Sequence, residues 1–305
     1  MKITALAGGV GAAKLLVGLA AVDDVQLTAV VNTADDAVIY GVHVSPDVDI
    51  CTYWLAGVAD EDRGWGILDD TFNVVDALRA LGEDTWFSLG DRDFATCILR
   101  TRRLAEGVPL HAATDEIAHR LGAPCRVIPM SNDPVRTIVT TADGRSLEFQ
   151  EYFVKERSQP DIAQVFFSGI ADADPAPGVL DALREADRVI VCPSNPIVSV
   201  GPILALRGVR DALRGHPEVT AVTPIVRGKA LKGPADRMLR ALGTESSASG
   251  VASLYADFVT RFVIDVTDDT EAARVSSLGI EPLRTNTIMS GRSRARELAH
   301  VLVTS

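Results

Sequence analysis

The stretch Lys2-Ile3-Thr4-Ala5-Leu6-Ala7-Gly8-Gly9-Val10-Gly11-Ala12-Ala13-Lys14 decides the fold. Lys2 to Ala7 reads as a short apolar strand, Gly8, Gly9 and Gly11 as a tight turn, and Ala12 to Ala21 as a buried helix. Such a turn bares backbone N–H groups at the positive end of a helix, where phosphate binds. The spelling narrows the ligand. A dinucleotide fingerprint puts a third glycine where Lys14 stands, and a Walker A loop has a longer spacing with Ser or Thr after its lysine. Lys14 instead places a flexible cation one turn into the helix, which suits a diphosphate better than helix–strand packing.

The same strand-to-helix alternation recurs along the chain. Strand-like runs stand at Ile3–Ala7, Gln26–Val31, Arg188–Cys192, Thr220–Ile225, Phe262–Val266 and Glu281–Arg284, with helical patterns between the later ones. Apolar strands alternating with helices imply an α/β fold, a Rossmann-like, mostly parallel sheet with helices on both faces. The middle of the chain differs. Helices are expected at Thr71–Leu81, Phe94–Leu104 and Ala113–Leu121 without convincing strands. Arg126–Pro129, Arg136–Thr141 and Ser146–Val154 then alternate with period two around Ala142-Asp143-Gly144-Arg145, the pattern of a β-hairpin. The expected organisation is a nucleotide-binding core at 1–50 and 165–305, with a smaller inserted region at 50–165 of helices and a hairpin shaping an acceptor site.

Composition excludes several classes. The 305 residues are 47% hydrophobic but only 5% aromatic, so the core is mainly Ala, Val and Leu, as suits helices on a buried parallel sheet. A formal charge of -11 argues against nucleic acid and anionic membrane as partners. No apolar run reaches the roughly eighteen residues of a membrane span, and the first residues enter a strand at once, so a cytoplasmic protein is expected. Cys51, Cys97, Cys125 and Cys192 are scattered without a CxxC pair, as reduced buried thiols would be. The five histidines are equally dispersed, and only His43 lies near charged clusters.

Several polar clusters fall where strands end, the edge at which open parallel sheets bind ligands. Asn32-Thr33-Ala34-Asp35-Asp36 closes the second strand, and Ser45-Pro46-Asp47-Val48-Asp49 follows shortly after. Asp35 fits either a ribose hydroxyl or, joined by a second acid from the later run, a divalent cation beside a phosphate; two acid clusters favour the cation. Leu89-Gly90-Asp91-Arg92-Asp93 offers a capping turn or an anion-binding guanidinium. Arg100, Arg102 and Arg103 read as one solvated helix face. Pro193-Ser194-Asn195-Pro196 makes a rigid loop whose Asn195 caps a helix or meets a nucleobase. Arg227-Gly228-Lys229-Ala230-Leu231-Lys232-Gly233-Pro234 brings basic residues to the same edge.

Taken together, the runs at 8–16, 30–36, 45–49, 63–67, 89–93, 129–135 and 193–203 resemble the phospholactate transferases of deazaflavin coenzyme biosynthesis, the CofD family and its FbiA counterparts. The resemblance implies a magnesium-dependent reaction (Mg2+) on a guanosine diphosphate-linked three-carbon acid. The terminal ribityl hydroxyl of the deazaflavin Fo attacks the phosphorus beside that acid, and GMP leaves. It further implies donor contacts from Gly8, Gly9, Gly11, Lys14, Asn32, Ser194, Asn195 and Lys229, with Asp35 and Asp49 on the metal. Asp91 and Arg92 are expected toward the acceptor, Asp49 doubles as a candidate base, and Trp65 and Trp86 offer an aromatic wall. The Ala- and Arg-rich composition favours enolpyruvate as the three-carbon unit, and a homodimer is the default for an enzyme of this size. Two other readings share the glycine turn. One is a non-catalytic nucleotide-sugar-binding regulator of the YvcK type, and the other a nicotinamide-dependent oxidoreductase, weakened by Lys14 in place of the third glycine.

Overall fold

In the computed structural model, which describes residues 1–305, the opening stretch forms an inner strand of the sheet and the helix that follows it. The chain runs β1 (Lys2–Ala7), α1 (Gly9–Ala20), β2 (Gln26–Val31), β3 (Ala37–Ile39), β4 (Val42–Val44), α2 (Pro46–Ala56), α3 (Asn73–Ala80), α4 (Asp91–Ala105), α5 (Leu110–Leu121) and β5 (Arg126–Pro129). There follow β6 (Arg136–Thr141), β7 (Ser146–Glu148), a π-helical turn at Glu151–Lys155, β8 (Ile162–Ser168), α6 (Val179–Glu185), β9 (Arg188–Val191), α7 (Val200–Ala205), α8 (Val209–Arg214) and β10 (Val219–Val222). The last part comprises β11 (Ile225–Val226), β12 (Lys229–Ala230), α9 (Ala235–Ala241), α10 (Ala248–Leu254), β13 (Arg261–Asp265), α11 (Glu271–Ser276), β14 (Glu281–Thr285) and α12 (Arg292–Thr304).

Seven strands pair in parallel in the order β14-β13-β10-β9-β1-β2-β5. Alternate side chains feed two cores. Ile3, Ala5 and Ala7 face α1, α2 and α12, packing with Leu15, Leu16, Trp54 and Leu298. Leu6, Val30 and Val191 point the other way, to Leu183, Ile203 and Leu213 of α6, α7 and α8. Burial on both faces is why these strands read as continuous apolar runs rather than alternating ones. From β1 the chain adds β2 and then β5 on one side, and returns to add β9 on the other. The strand order therefore reverses between β1 and β9, the crevice where doubly wound sheets bind ligands. No helix is long and apolar enough to cross a membrane.

The region expected at 50–165 is divided rather than continuous. β5 does not join a hairpin but pairs with β2, Thr28 beside Arg126 through Val31 beside Pro129, because Val127 and Ile128 are apolar enough to be buried within the main sheet. The excursions are two: residues 57–109, carrying α3 and α4, and residues 130–168, where β7-β6-β8 form a three-stranded antiparallel sheet. The strand expected over Ser146–Val154 stops at Glu148 and gives way to the π-helical turn.

Candidate active site

The glycine turn is bare because its neighbours press on it. A Cβ on Gly8 would lie 2.4 Å from Asp47 Oδ2 and 2.6 Å from Ser199 Cβ, and one on Gly11 would lie 2.5 Å from the Pro193 carbonyl oxygen. Gly9 has φ +71, a left-handed conformation that glycine adopts freely. The Gly8 N–H donates to Ser194 Oγ at 3.1 Å, tying the turn to the loop after β9. The first N–H groups of α1 have no partner within the helix, and Gly8, Gly9, Val10 and Gly11 line a cavity of about 490 Å³ at the switch point.

Buried carboxylates surround that cavity. Asn32 organises two of them: its Oδ1 accepts the Ala34 N–H, while its Nδ2 donates to Asp35 Oδ1 at 2.6 Å and Asp47 Oδ2 at 3.0 Å. Gln150 Nε2 donates to the other Asp35 oxygen at 3.1 Å. Neither acid has a cationic partner, although each is under a tenth exposed. Burial, then the charges of Asp47 and Asp36, push Asp35 well above the usual carboxylate range. Burial raises Asp47 to about 6 against hydrogen bonds from Asn32, the Gly9 backbone and Ser199. Asp36 lies behind them and accepts from Ser45 Oγ at 2.7 Å, with His43 Nε2 at 2.8 Å; its second oxygen is buried without a partner.

Asp49 is held otherwise. Arg100, wholly buried, grips it bidentately, with Nη1 at 3.0 Å from Oδ2 and Nη2 on Oδ1, and also donates to the His43 carbonyl at 3.2 Å. Burial alone would lower the Arg100 pKa, and the Asp49 carboxylate overrides it, so the guanidinium stays charged. The expectation of a solvated Arg100–Arg103 face holds for Arg102, which pairs with Glu106; Arg103 is half-buried between Glu106 and Glu116, and the expectation fails for Arg100. Asp93, Cys97 and Arg100 recur at helical spacing on the buried face of α4, and that period decides. Asp93 accepts from the Tyr53 hydroxyl at 2.7 Å, and burial followed by the Asp49 charge raises it to about 7. Oxygens of Asp49 and Asp93 and the sulfur of Cys97 lie within 4.8 Å of one another. Arg100 already supplies that group's positive charge, and burial keeps the Cys97 thiol protonated, so it suits magnesium poorly.

The cavity collects Gly8, Gly9, Gly11, Asp35, Asp49, Trp65, Ser194 and Asn195 of the expected residues. Others lie elsewhere. Asn32 sits beneath the cavity as the link between two acids. Lys14 donates to the Met289 carbonyl at 3.1 Å with its ammonium 5.7 Å from the Trp54 ring centre, because its position on α1 faces the α12 layer. Asp91 caps α3, accepting from Thr71 Oγ1, Asn73 and the Val74 N–H. Arg92 is exposed and donates to the Leu68 carbonyl at 3.2 Å. Lys229 is an exposed hairpin residue, and Trp86 packs edge-on against Phe87 outside the lining. Asp47, Asp93 and Lys232, each within a run noted from the sequence, also line the cavity, and Phe149, Gln150 and Phe153 line it without having been singled out.

The raised acids make stability depend on pH. A carboxyl with a folded pKa above its unfolded value of about 4 stabilises the fold fully below that value, and the contribution disappears as pH rises through the folded pKa. The window runs from about pH 4, through about 6 for Asp47, to about 7 for Asp93. Asp91 and Asp257, held at about 2 by hydrogen bonds, act below it. Metal-free protein is therefore expected to melt higher at pH 5 than at pH 7.5, and magnesium to raise the melting temperature more at pH 7.5 than at pH 5. Melting curves at both pH values, with and without the ion, check this.

The family model of 2-phospho-L-lactate transferase CofD matches residues 3–296. The chain is 42% identical over 302 residues to the 2-phospho-L-lactate transferase of Methanothermobacter thermautotrophicus, covering 99% of this chain and 97% of that one. It is also 42% identical over 288 residues to the phosphoenolpyruvate transferase of Streptomyces griseus, covering 92% and 90%. Among solved structures, protein BH3568 of Bacillus halodurans, from the UPF0052 family, superposes with a TM-score of 0.68 at 16% identity, covering 99% of this chain and 98% of that one. That last likeness concerns the fold alone.

Proposed function

The chain belongs to the CofD family of 2-phospho-L-lactate transferases, and we propose accordingly that it moves a phospho-three-carbon-acid unit from a guanosine diphosphate-linked donor to the terminal ribityl hydroxyl of Fo, releasing GMP. The observation that carries this reading is one cavity with two unlike walls. One wall is the glycine turn with the Asp35–Asp47 pair; the other is apolar and aromatic, with Phe149 and Phe153 stacked at 5.5 Å and 3°. A diphosphate suits the first wall, and a planar deazaflavin the second.

In the reaction the hydroxyl oxygen forms a bond to the phosphorus that carries the three-carbon acid, and the bond to the GMP oxygen breaks. Such transfers depend on positioning and on neutralising charge. The α1 amides bind phosphate oxygens, and Ser194 and Asn195 stand at the β9 edge for the nucleoside. Asp35 and Asp47 fit a divalent cation: they are hard oxygen donors, buried, adjacent and without a cationic partner. Magnesium there supplies positive charge against the phosphates. Asp49 is tied to Arg100, which leaves Asp93, raised to about 7 and oriented by Tyr53, as the carboxylate suited to take the hydroxyl proton.

Thermal-shift titrations with GDP, a UDP-sugar and NADPH in magnesium test the donor class. GDP is expected to raise the melting temperature most; a larger shift from the UDP-sugar or NADPH would contradict the reading. Phe153→Ala is expected to weaken Fo binding about two- to tenfold while GDP binding holds. Fo fluorescence titration measures it, and unchanged affinity would place the ring elsewhere. The lactate and enolpyruvate donors remain equal candidates, since both kinds of relative reach the same identity.

A further inference from the structure

The runs Arg63-Gly64-Trp65-Gly66-Ile67 and Leu231-Lys232-Gly233-Pro234 lie far apart in sequence and meet at the mouth of the cavity. Gly64 has φ +83, and a Cβ built on it would stand 2.5 Å from Lys232 Nζ and 3.4 Å from Val10 Cγ1. The lysine ammonium thus passes through the space a side chain at 64 would take, next to the first turn of α1. Two cations line the cavity, Arg63 and Lys232. Arg63 is committed to Asp60, with Nε 2.7 Å from Oδ2, and its guanidinium stacks 5.1 Å from the Trp65 ring centre. Lys232 makes no salt bridge, although many of the chain's basic residues make one. Its charge is felt inside the fold, adding to burial in lowering the Lys14 pKa.

We propose that Lys232, rather than Lys14 or Lys229, is the cation that grips the ligand's diphosphate, and that Gly64 is bare to let it through. An unpartnered ammonium beside the first turn of α1, where the Gly9 amide meets Asp47 and the Val10 and Gly11 amides have no partner within the helix, forms a site for two adjacent phosphoryl groups. The glycine acts through the lysine and is a positioning residue. Naming the ligand a nucleoside diphosphate rests on the function proposed above; the role of Lys232 toward phosphate does not.

Calorimetry with GDP, inorganic pyrophosphate and guanosine, in magnesium, tests it on the full chain. Lys232→Ala is expected to weaken GDP and pyrophosphate about tenfold or more, the effect of losing a hydrogen bond to a charged group, and to leave guanosine unaffected. Gly64→Ala is expected to weaken the same two ligands, yet to add less than about twofold in the Lys232→Ala background, as coupled residues do. Melting curves of the four proteins separate binding from folding. GDP and pyrophosphate affinities unchanged in Lys232→Ala would overturn the proposal, as would a full Gly64→Ala penalty persisting without the lysine. Wild-type protein that binds pyrophosphate but not GDP would refute the guanosine donor, while the pyrophosphate arm would still decide the role of Lys232.

Discussion

Replacing Arg100 by methionine is expected to destabilise the protein by about 3–5 kcal/mol, the range for removing one partner of a buried ion pair. Methionine fills much of the volume, so the loss is electrostatic. Asp49 would be left buried without its two guanidinium bonds, and the His43 carbonyl would lose a donor. Urea denaturation measures the change. A second substitution gives the sharper reading: Asp49→Asn removes the stranded charge, so the double variant is expected to recover part of the loss. A change below about 1 kcal/mol in Arg100→Met, the level of a surface pair, would contradict the pairing described.

Asp47→Asn is expected to separate stability from activity. Asp47 and Asp35 share the Asn32 amide without a cation between them, so their ionised forms repel each other and are poorly solvated. Removing one charge relieves that, and the melting temperature at pH 7.5 without magnesium is expected to stay level or rise. Turnover is expected to fall about 100- to 1,000-fold, as when a preorganised charge-stabilising group is lost. Magnesium affinity by calorimetry should fall with it. Functional sites commonly trade stability in this way. Turnover within threefold of wild type, with magnesium affinity intact, would remove Asp47 from the site.

The sheet was legible because its strands are buried on both faces. Gln26–Val31 and Arg188–Cys192 stood out as apolar runs, and both supply strands of the sheet. β5 misled because it stands just before a true hairpin; its adjacent apolar pair, Val127 and Ile128, is the local sign of a strand buried on both faces. The site was legible by loop and less so by atom. Asp47 and Asp49 start one helix two residues apart, so their side chains leave it about 200° apart; one meets the glycine turn and the other Arg100. Arg100 was within reach of the sequence, since Asp93, Phe94, Cys97 and Arg100 share a helical face. The 227–234 run was legible as bringing basic residues to the sheet edge; that Lys232 and not Lys229 reaches the cavity was not, because it depends on how the 57–67 and 227–234 loops cross, which only the tertiary fold settles.

The most direct measurement is the mass of the product formed when the protein, Fo and magnesium are incubated in turn with the guanosine diphosphate-linked lactate, enolpyruvate and glycerate donors. One of these is expected to convert Fo to a species heavier by its phospho-three-carbon unit, with GMP released one for one. Fo recovered unchanged from all three, by a folded protein that binds a nucleotide-sugar in the same cavity, would contradict the account.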